Sequence, residues 1–191
     1  MLILVSGLII FFGVHSVSII SDDWRHRMVA RLGIWPWQGI YSLTAIIGFI
    51  MMVYGYGIAR MEPVVLYTPP YWLHYVTAVL MIPVFPLLLA TYLPGRIQTA
   101  AKHPMLAAAK LWAFAHLLVN GTLADVLLFG VFLAWAVADR ISLKRRVPHP
   151  VPVATRNTLN DFLVIIIGLI VYTAFVFGLH MWLIGVPILK L

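Results

Sequence analysis

Long apolar runs recur along this chain, separated by short polar segments. A helix of about 20 apolar residues can cross the ~30 Å hydrocarbon layer of a bilayer. Hydrophobic residues make up 63% and charged residues 10% of the 191 positions, which excludes an ordinary soluble domain and a disordered chain. The runs also lack the alternation of membrane β-strands. The predicted fold class is therefore all-α: a polytopic membrane helical bundle forming one transmembrane domain over 1–191.

Breaks between the apolar runs predict six transmembrane helices. Pro83 and Pro86 predict a kink or interruption in the third, because proline removes a backbone donor. Pro104 suits the first turn of the fourth, where a missing N–H is not needed. The predicted spans cover 1–20, 38–59, 71–92, 104–119, 122–138 and 159–184.

Positively charged residues concentrate in alternate loops. The side opposite these loops carries only Arg60 and Lys190. Since cytoplasmic loops are enriched in Lys and Arg, the three basic loops are predicted to be cytoplasmic, with both termini outside. The net charge of +7 is then a topology signal, and no nucleic-acid partner is expected. The loops after spans one, three and five carry three, two and five Lys or Arg: Arg25, Arg27, Arg31; Arg96, Lys102; Arg140, Lys144, Arg145, Arg146, Arg156.

The segment 103–121 (HPMLAAAKLWAFAHLLVNG) is apolar enough for a bilayer, yet it carries several polar side chains. Ionisable groups at membrane depth are expensive, so each is a candidate functional residue. The segment contains His103, Lys110, His116 and Asn120, and the first span contains His15. The chain has no cysteine, so a metal or haem iron has to be held by His, Met, Tyr or carboxylate groups.

Two imidazoles on different helices can ligate haem iron axially. His15 and His116 are the predicted metal ligands, because both fall within spans. With ~1.5 Å of rise per residue, they would lie ~9 Å and ~20 Å from the cytoplasmic edge. Other pairings therefore stay open: His103 with His15, and His74 or His180 with His116.

Three further residues are candidates for contact with the same haem b. His103 and Lys110 share a helix face, being seven residues apart. Lys110 could pair with a haem propionate or with Asp125. Asn120 lies one turn past His116, and its alternative role is to cap the end of that helix.

Two stretches of the sequence resemble the NnrU family of membrane proteins. They are FFGVHS at 11–16 and KHPMLAAAKLWAFAHLLVNGTLADVLLFGVFLAWAVADR at 102–140. The His-Pro step followed by W-x-x-x-H-x-x-x-N-G is the most specific part. The resemblance implies a multi-pass protein of the bacterial inner membrane. It also implies an association with denitrification and with nitrite and nitric oxide reductases.

The same family includes the plant and cyanobacterial zeta-carotene isomerase, a haem b membrane enzyme. This resemblance implies that the axial histidines match His15 and His116. The isomerase has a cysteine three residues before the second histidine, where this chain has Ala113. Ligand exchange through a cysteine is therefore not implied here.

A more distant similarity links 102–108 to the R-H-P-x-Y-x-G pattern of membrane methyltransferases that act on isoprenylcysteine. Leu106 and Ala108 stand where that pattern has Tyr and Gly. Cofactor binding of that type is therefore not expected.

Three functions stay open at this point, and so does the question of whether the chain is an enzyme. The first is a haem b-binding protein of nitric oxide metabolism, with redox or isomerase-like chemistry on a lipophilic small molecule. The second is a non-enzymatic membrane factor that assists maturation of a denitrification reductase. The third is a degenerate relative of the methyltransferases. Membrane lipid, haem and a denitrification reductase are the expected partners.

Overall fold

The computed structural model describes residues 1–147 and 153–188. Their regular elements are helices, apart from an isolated antiparallel bridge between Val65 and Thr122. A π-helical turn, Phe175–Leu179, lies within the last long helix. The helices are α1 (Leu2–His15), α2 (Val17–Ile20), α3 (Asp22–Leu32), α4 (Ile34–Ala59), α5 (Leu73–Met81), α6 (Val84–Ala90), α7 (Arg96–Ala101), α8 (Pro104–Leu117), α9 (Leu123–Ser142), α10 (Leu159–Ala174) and α11 (His180–Ile184).

Three helical stretches within the described residues are long and apolar enough to cross a membrane. They are Ile34–Ala59, Leu73–Ala90 and Leu159–Ile184, with mean hydropathies of 1.7, 2.0 and 2.7. The all-α class and the membrane character predicted from the sequence are confirmed by these helices.

The predicted number of six spans is not supported by the helix lengths. The helices α1 and α8 have 14 residues each, which at ~1.5 Å per residue is ~21 Å, short of the ~30 Å of hydrocarbon. The helix α9 has 20 residues, but it includes Asp125, Asp139 and Arg140. Sequence hydropathy could not show where Ser16 and Leu118 would end the regular helices.

The described residues divide into two compact units. The first unit comprises Met1–Thr68 and Gly121–Val147, and its main contact is α1 against α4. A Cβ atom at Gly7 would overlap the backbone of Met52, and one at Gly55 would overlap the backbone of Leu4. Small residues allow this close backbone approach, as is common between membrane helices. Helix α9 also packs against α1.

The second unit comprises Pro69–Asn120 and Pro148–Leu191, of which 148–152 and 189–191 lie outside the described residues. In it α6 packs between α8 and α10. The predicted interruption at Pro83 is confirmed, since α5 ends at Met81 and α6 begins at Val84. The Thr77 hydroxyl donates to the Ala115 carbonyl at 3.0 Å, which ties α5 to α8.

The beginning of α10 is bound to the beginning of α7 within this unit. The Asp161 carboxylate accepts the backbone N–H groups of Arg96 at 2.8 Å and Ile97 at 2.9 Å. The Asn160 amide donates to the Pro94 and Thr155 carbonyls at 2.9 and 3.0 Å. From the sequence, Asp161 is predicted only to place a favourable negative charge at the N-terminus of its own helix. In the structure its carboxylate instead caps the start of α7.

Candidate functional site

His15 is the last residue of α1, and its imidazole has a fixed orientation. Its Nδ1–H donates to the Phe11 carbonyl oxygen, 2.7 Å away and one helical turn back. A carbonyl oxygen can only accept, so Nδ1 carries the proton and Nε2 keeps its lone pair. No hydrogen bond within the described residues occupies that Nε2. His15 can therefore act as a neutral metal ligand through Nε2.

Aromatic side chains from three helices surround this imidazole. The ring centroids of Phe11, Tyr41 and Trp135 lie 4.2, 5.3 and 5.9 Å from that of His15. Phe132 extends the group, with its centroid 4.8 Å from that of Phe12. We call this group the His15 cluster: His15, Phe11, Phe12, Tyr41, Phe132 and Trp135. Most of its members are aromatic, so the imidazole lies in a largely apolar surround.

One polar atom of the His15 cluster has no partner. The indole Nε1 of Trp135 is buried, and no acceptor among the described residues lies within hydrogen-bonding distance. Trp135 is one helical turn before Asp139 on α9, so the two side chains lie on the same face.

His116, on α8 of the second unit, has the same local arrangement as His15. Its Nδ1–H donates to the Trp112 carbonyl oxygen at 2.8 Å, and the Trp112 ring centroid is 5.1 Å from its own. Both histidines thus have an aromatic residue four positions earlier, which supplies a carbonyl acceptor and a ring contact. Because His15 and His116 belong to different units, their pairing stays a prediction.

Asn120 contacts His116 through the backbone. Its amide donates to the His116 carbonyl oxygen at 2.9 Å, three residues beyond the end of α8. This is the helix-capping contact expected of an amide at that position, since the last carbonyls of a helix lack intrahelical donors. Contact of Asn120 with a cofactor stays a prediction.

His103 and Lys110 lie on α8 as well. His103 is the N-cap residue and is half-buried. Its N–H donates to the Ala101 carbonyl at 2.6 Å across Lys102, whose φ of 59° is positive. That is the geometry of a γ-turn, a strained conformation for a residue with a side chain. Lys110 is half-buried two turns further along α8, and its proposed contact with a propionate stays a prediction.

Asp125 is engaged inside the first unit. With Thr122 it forms a capping box at the start of α9, and it accepts the Tyr56 hydroxyl at 2.5 Å. An acidic side chain suits the positive end of a helix dipole, so Asp125 stabilises the start of α9. Its predicted contact with Lys110 stays a prediction. The Asp125 carboxylate also acts on Tyr67. The pKa of the Tyr67 phenol is raised above its ordinary value, mainly by partial burial and to a smaller extent by the negative charge of Asp125.

Sequence reasoning missed Tyr41 and Trp135. Trp135 had a local signal, because it lies in an apolar helix one turn before a charged residue, Asp139. Tyr41 had none, since its nearness to His15 depends on the packing of α1 against α4. Within 1–147 and 153–188, no three His, Asp or Glu side chains come together as a bare metal site.

Comparison with known proteins identifies one family. The chain matches the family described as NnrU protein over residues 3–188. No curated protein and no solved structure matches it. Since the match covers nearly the whole chain, this protein belongs to the NnrU family.

Proposed function

We propose that this chain binds haem b and that His15, through Nε2, and His116 would hold its iron. The observation that carries this proposal is the hydrogen bond from His15 Nδ1 to the Phe11 carbonyl at 2.7 Å. Metal-bound histidines commonly donate their other ring N–H to a carbonyl or carboxylate, which fixes the tautomer and raises ligand basicity. The bond from His116 to Trp112 at 2.8 Å provides the same support at the second ligand.

The residues around His15 fit a porphyrin chemically. Phe11, Tyr41 and Trp135 place aromatic rings beside the imidazole, and this apolar surround would limit the access of water to a bound iron. The buried Trp135 N–H is an unused donor at the same place. When bound, haem b supplies one-electron chemistry at its iron, which suits a redox or nitric oxide-related role or isomerisation of a lipophilic polyene.

Family membership fits a denitrification-related membrane protein. We place it in the bacterial inner membrane with six crossings and both termini periplasmic, as the loop charges predict. In this arrangement the short helices α1 and α8 cross together with the residues that follow them. The sequence predicts that Lys190 lies outside and that His149 lies in a cytoplasmic loop. Neither residue is among those that the structure describes.

The visible spectrum of the purified protein tests the proposal. The wild-type protein is expected to show a Soret band. This band should be lost or markedly changed in both His15→Ala and His116→Ala. His26→Ala is the matched control, because the His26 side chain is 58% exposed on α3. A folded preparation that neither carries haem nor takes it up on addition would contradict the proposal.

The same variants distinguish haem chemistry from a haem-free maturation role. Reductase activity can be measured in a deletion strain that expresses each variant at equal membrane levels. Loss of reductase activity in His15→Ala but not in His26→Ala is expected if the function requires haem. Full reductase activity in both His15→Ala and His116→Ala would contradict that requirement.

A further inference from the structure

The Trp135 indole is the most conspicuous unused polar group in the first unit. Its Nε1 is buried, and no acceptor lies within reach in the part of the chain that the structure describes. Leaving a buried donor unpaired costs ~1–3 kcal/mol. Because the Nε1 atom is buried, bulk water does not offer an acceptor to offset this cost.

The position of Trp135 indicates what it could bind. Its ring lies edge-on to His15, with centroids 5.9 Å apart and planes at 89°, and 5.5 Å from the ring of Phe12. The donor is therefore beside the imidazole that we propose as a haem ligand. Trp135 is therefore placed beside any ligand that His15 would hold.

The end of α9 is suited to an anionic acceptor. Asp139, one turn after Trp135, has its charge matched by Arg146, whose guanidinium lies 2.5 Å from its carboxylate. Arg140, Lys144 and Arg145 add three positive charges in the same stretch. Trp135 thus lies one turn before a stretch, 139–146, whose net charge is positive. The oxygen acceptors of haem b are its two carboxylates.

We propose that Trp135 Nε1–H donates a hydrogen bond to a carboxylate of the tetrapyrrole held by His15. This inference rests on the proposed haem function, and it assigns Trp135 as a positioning residue for that ligand. An indole N–H to a carboxylate is a charge-assisted hydrogen bond, stronger than a neutral one.

The test is a titration of the purified apoprotein with haemin and with haemin dimethyl ester, followed at the Soret band. Trp135→Phe keeps an aromatic ring but removes the N–H. It is expected to weaken haemin binding roughly ten-fold, the range of one hydrogen bond to a charged group, and dimethyl ester binding much less. Trp35→Phe is the control, because Trp35 is 81% exposed in the same unit.

Thermal unfolding of the apoproteins completes the test. Trp135→Phe should lower the melting temperature only slightly, because removal of the unpartnered N–H offsets part of the packing lost with the larger indole ring. Unaltered haemin affinity in Trp135→Phe, with binding abolished in His15→Ala, would overturn this inference and leave the haem proposal standing. An equal loss of affinity for haemin and for its ester, with a large fall in melting temperature, would instead assign Trp135 to packing. Failure of the wild-type protein to bind haemin would overturn both proposals.

Discussion

His15 contacts Phe11 in two ways: its Nδ1–H donates to the Phe11 carbonyl at 2.7 Å, and the two rings stack with centroids 4.2 Å apart. The imidazole is therefore held by its own helix, and a cavity at this position should accept a free imidazole in a similar orientation. We predict that His15→Gly loses the wild-type haem spectrum and that millimolar imidazole restores it.

His116→Gly with the same imidazole addition is a second test of rescue. His26→Gly is the control, and it should keep the wild-type spectrum without imidazole. Restoration is expected at each proposed ligand, because the Trp112 ring flanks His116 as Phe11 flanks His15. A His15→Gly protein with an unaltered spectrum before imidazole is added would contradict ligation by His15.

The contact between α1 and α4 predicts a contrast between two glycines of α4. A Cβ atom at Gly55 would overlap the backbone of Leu4, whereas nothing lies within 4 Å of one at Gly57. Gly55→Ala is expected to destabilise the first unit by ~2 kcal/mol through overpacking. Gly57→Ala should be neutral or slightly stabilising, because alanine favours the helix. Thermal unfolding in detergent measures both, and equal melting temperatures would contradict the observed helix contact.

The ion pair of Asp139 and Arg146 predicts strong coupling between two substitutions. Their side chains are only 12% and 14% exposed, so removal of one partner leaves a poorly solvated charge. Asp139→Asn and Arg146→Gln are each expected to lower the free energy of unfolding by ~3 kcal/mol. The double variant should be more stable than the sum of these losses, and a double-mutant cycle measures the difference. Strict additivity would show that the pair does not form.

The capping of α7 by Asp161 predicts a graded effect in the second unit. Asp161→Ala removes the acceptor of two backbone N–H groups, whereas Asp161→Asn keeps one amide oxygen. We expect the melting temperature to fall in both variants and further in Asp161→Ala. Asp23→Ala is the control, since Asp23 is exposed on α3 of the first unit. The prediction would be wrong if Asp161→Ala had the same melting temperature as the wild-type protein.

Much of the fold could be predicted from local sequence, because apolar length and proline position act locally. The interruption at Pro83 and the start of α8 at Pro104 follow from the missing proline N–H, and both are observed. The capping box of Thr122 and Asp125 likewise depends on two residues three positions apart. The ends of α1 and α8 were not predictable in this way, because hydropathy continues past Ser16 and Leu118. In the structure α1 ends at His15, one residue before α2 begins, and α8 ends at Leu117.

The candidate site was predictable only in its single residues. An imidazole in an apolar run marks itself in the sequence, as His15 and His116 do. Its neighbours do not: Tyr41 and Trp135 reach His15 from other helices, and their contacts depend on how α1, α4 and α9 pack. The donation from each histidine to the carbonyl four residues earlier also depends on side-chain rotamer, which the sequence does not specify.

Membrane topology gives the last prediction, and the absence of cysteine from the chain makes it directly measurable. Single cysteines can be introduced at Lys144 and at Glu62, both exposed outside the spans. If alternate basic loops are cytoplasmic, a membrane-impermeant maleimide should label Glu62→Cys in intact spheroplasts and Lys144→Cys only after the membrane is opened. The cysteine-free parent protein controls for background labelling. Labelling of Lys144→Cys in intact spheroplasts would reverse the proposed orientation, and it would place the Asp139–Arg146 end of α9 on the periplasmic side.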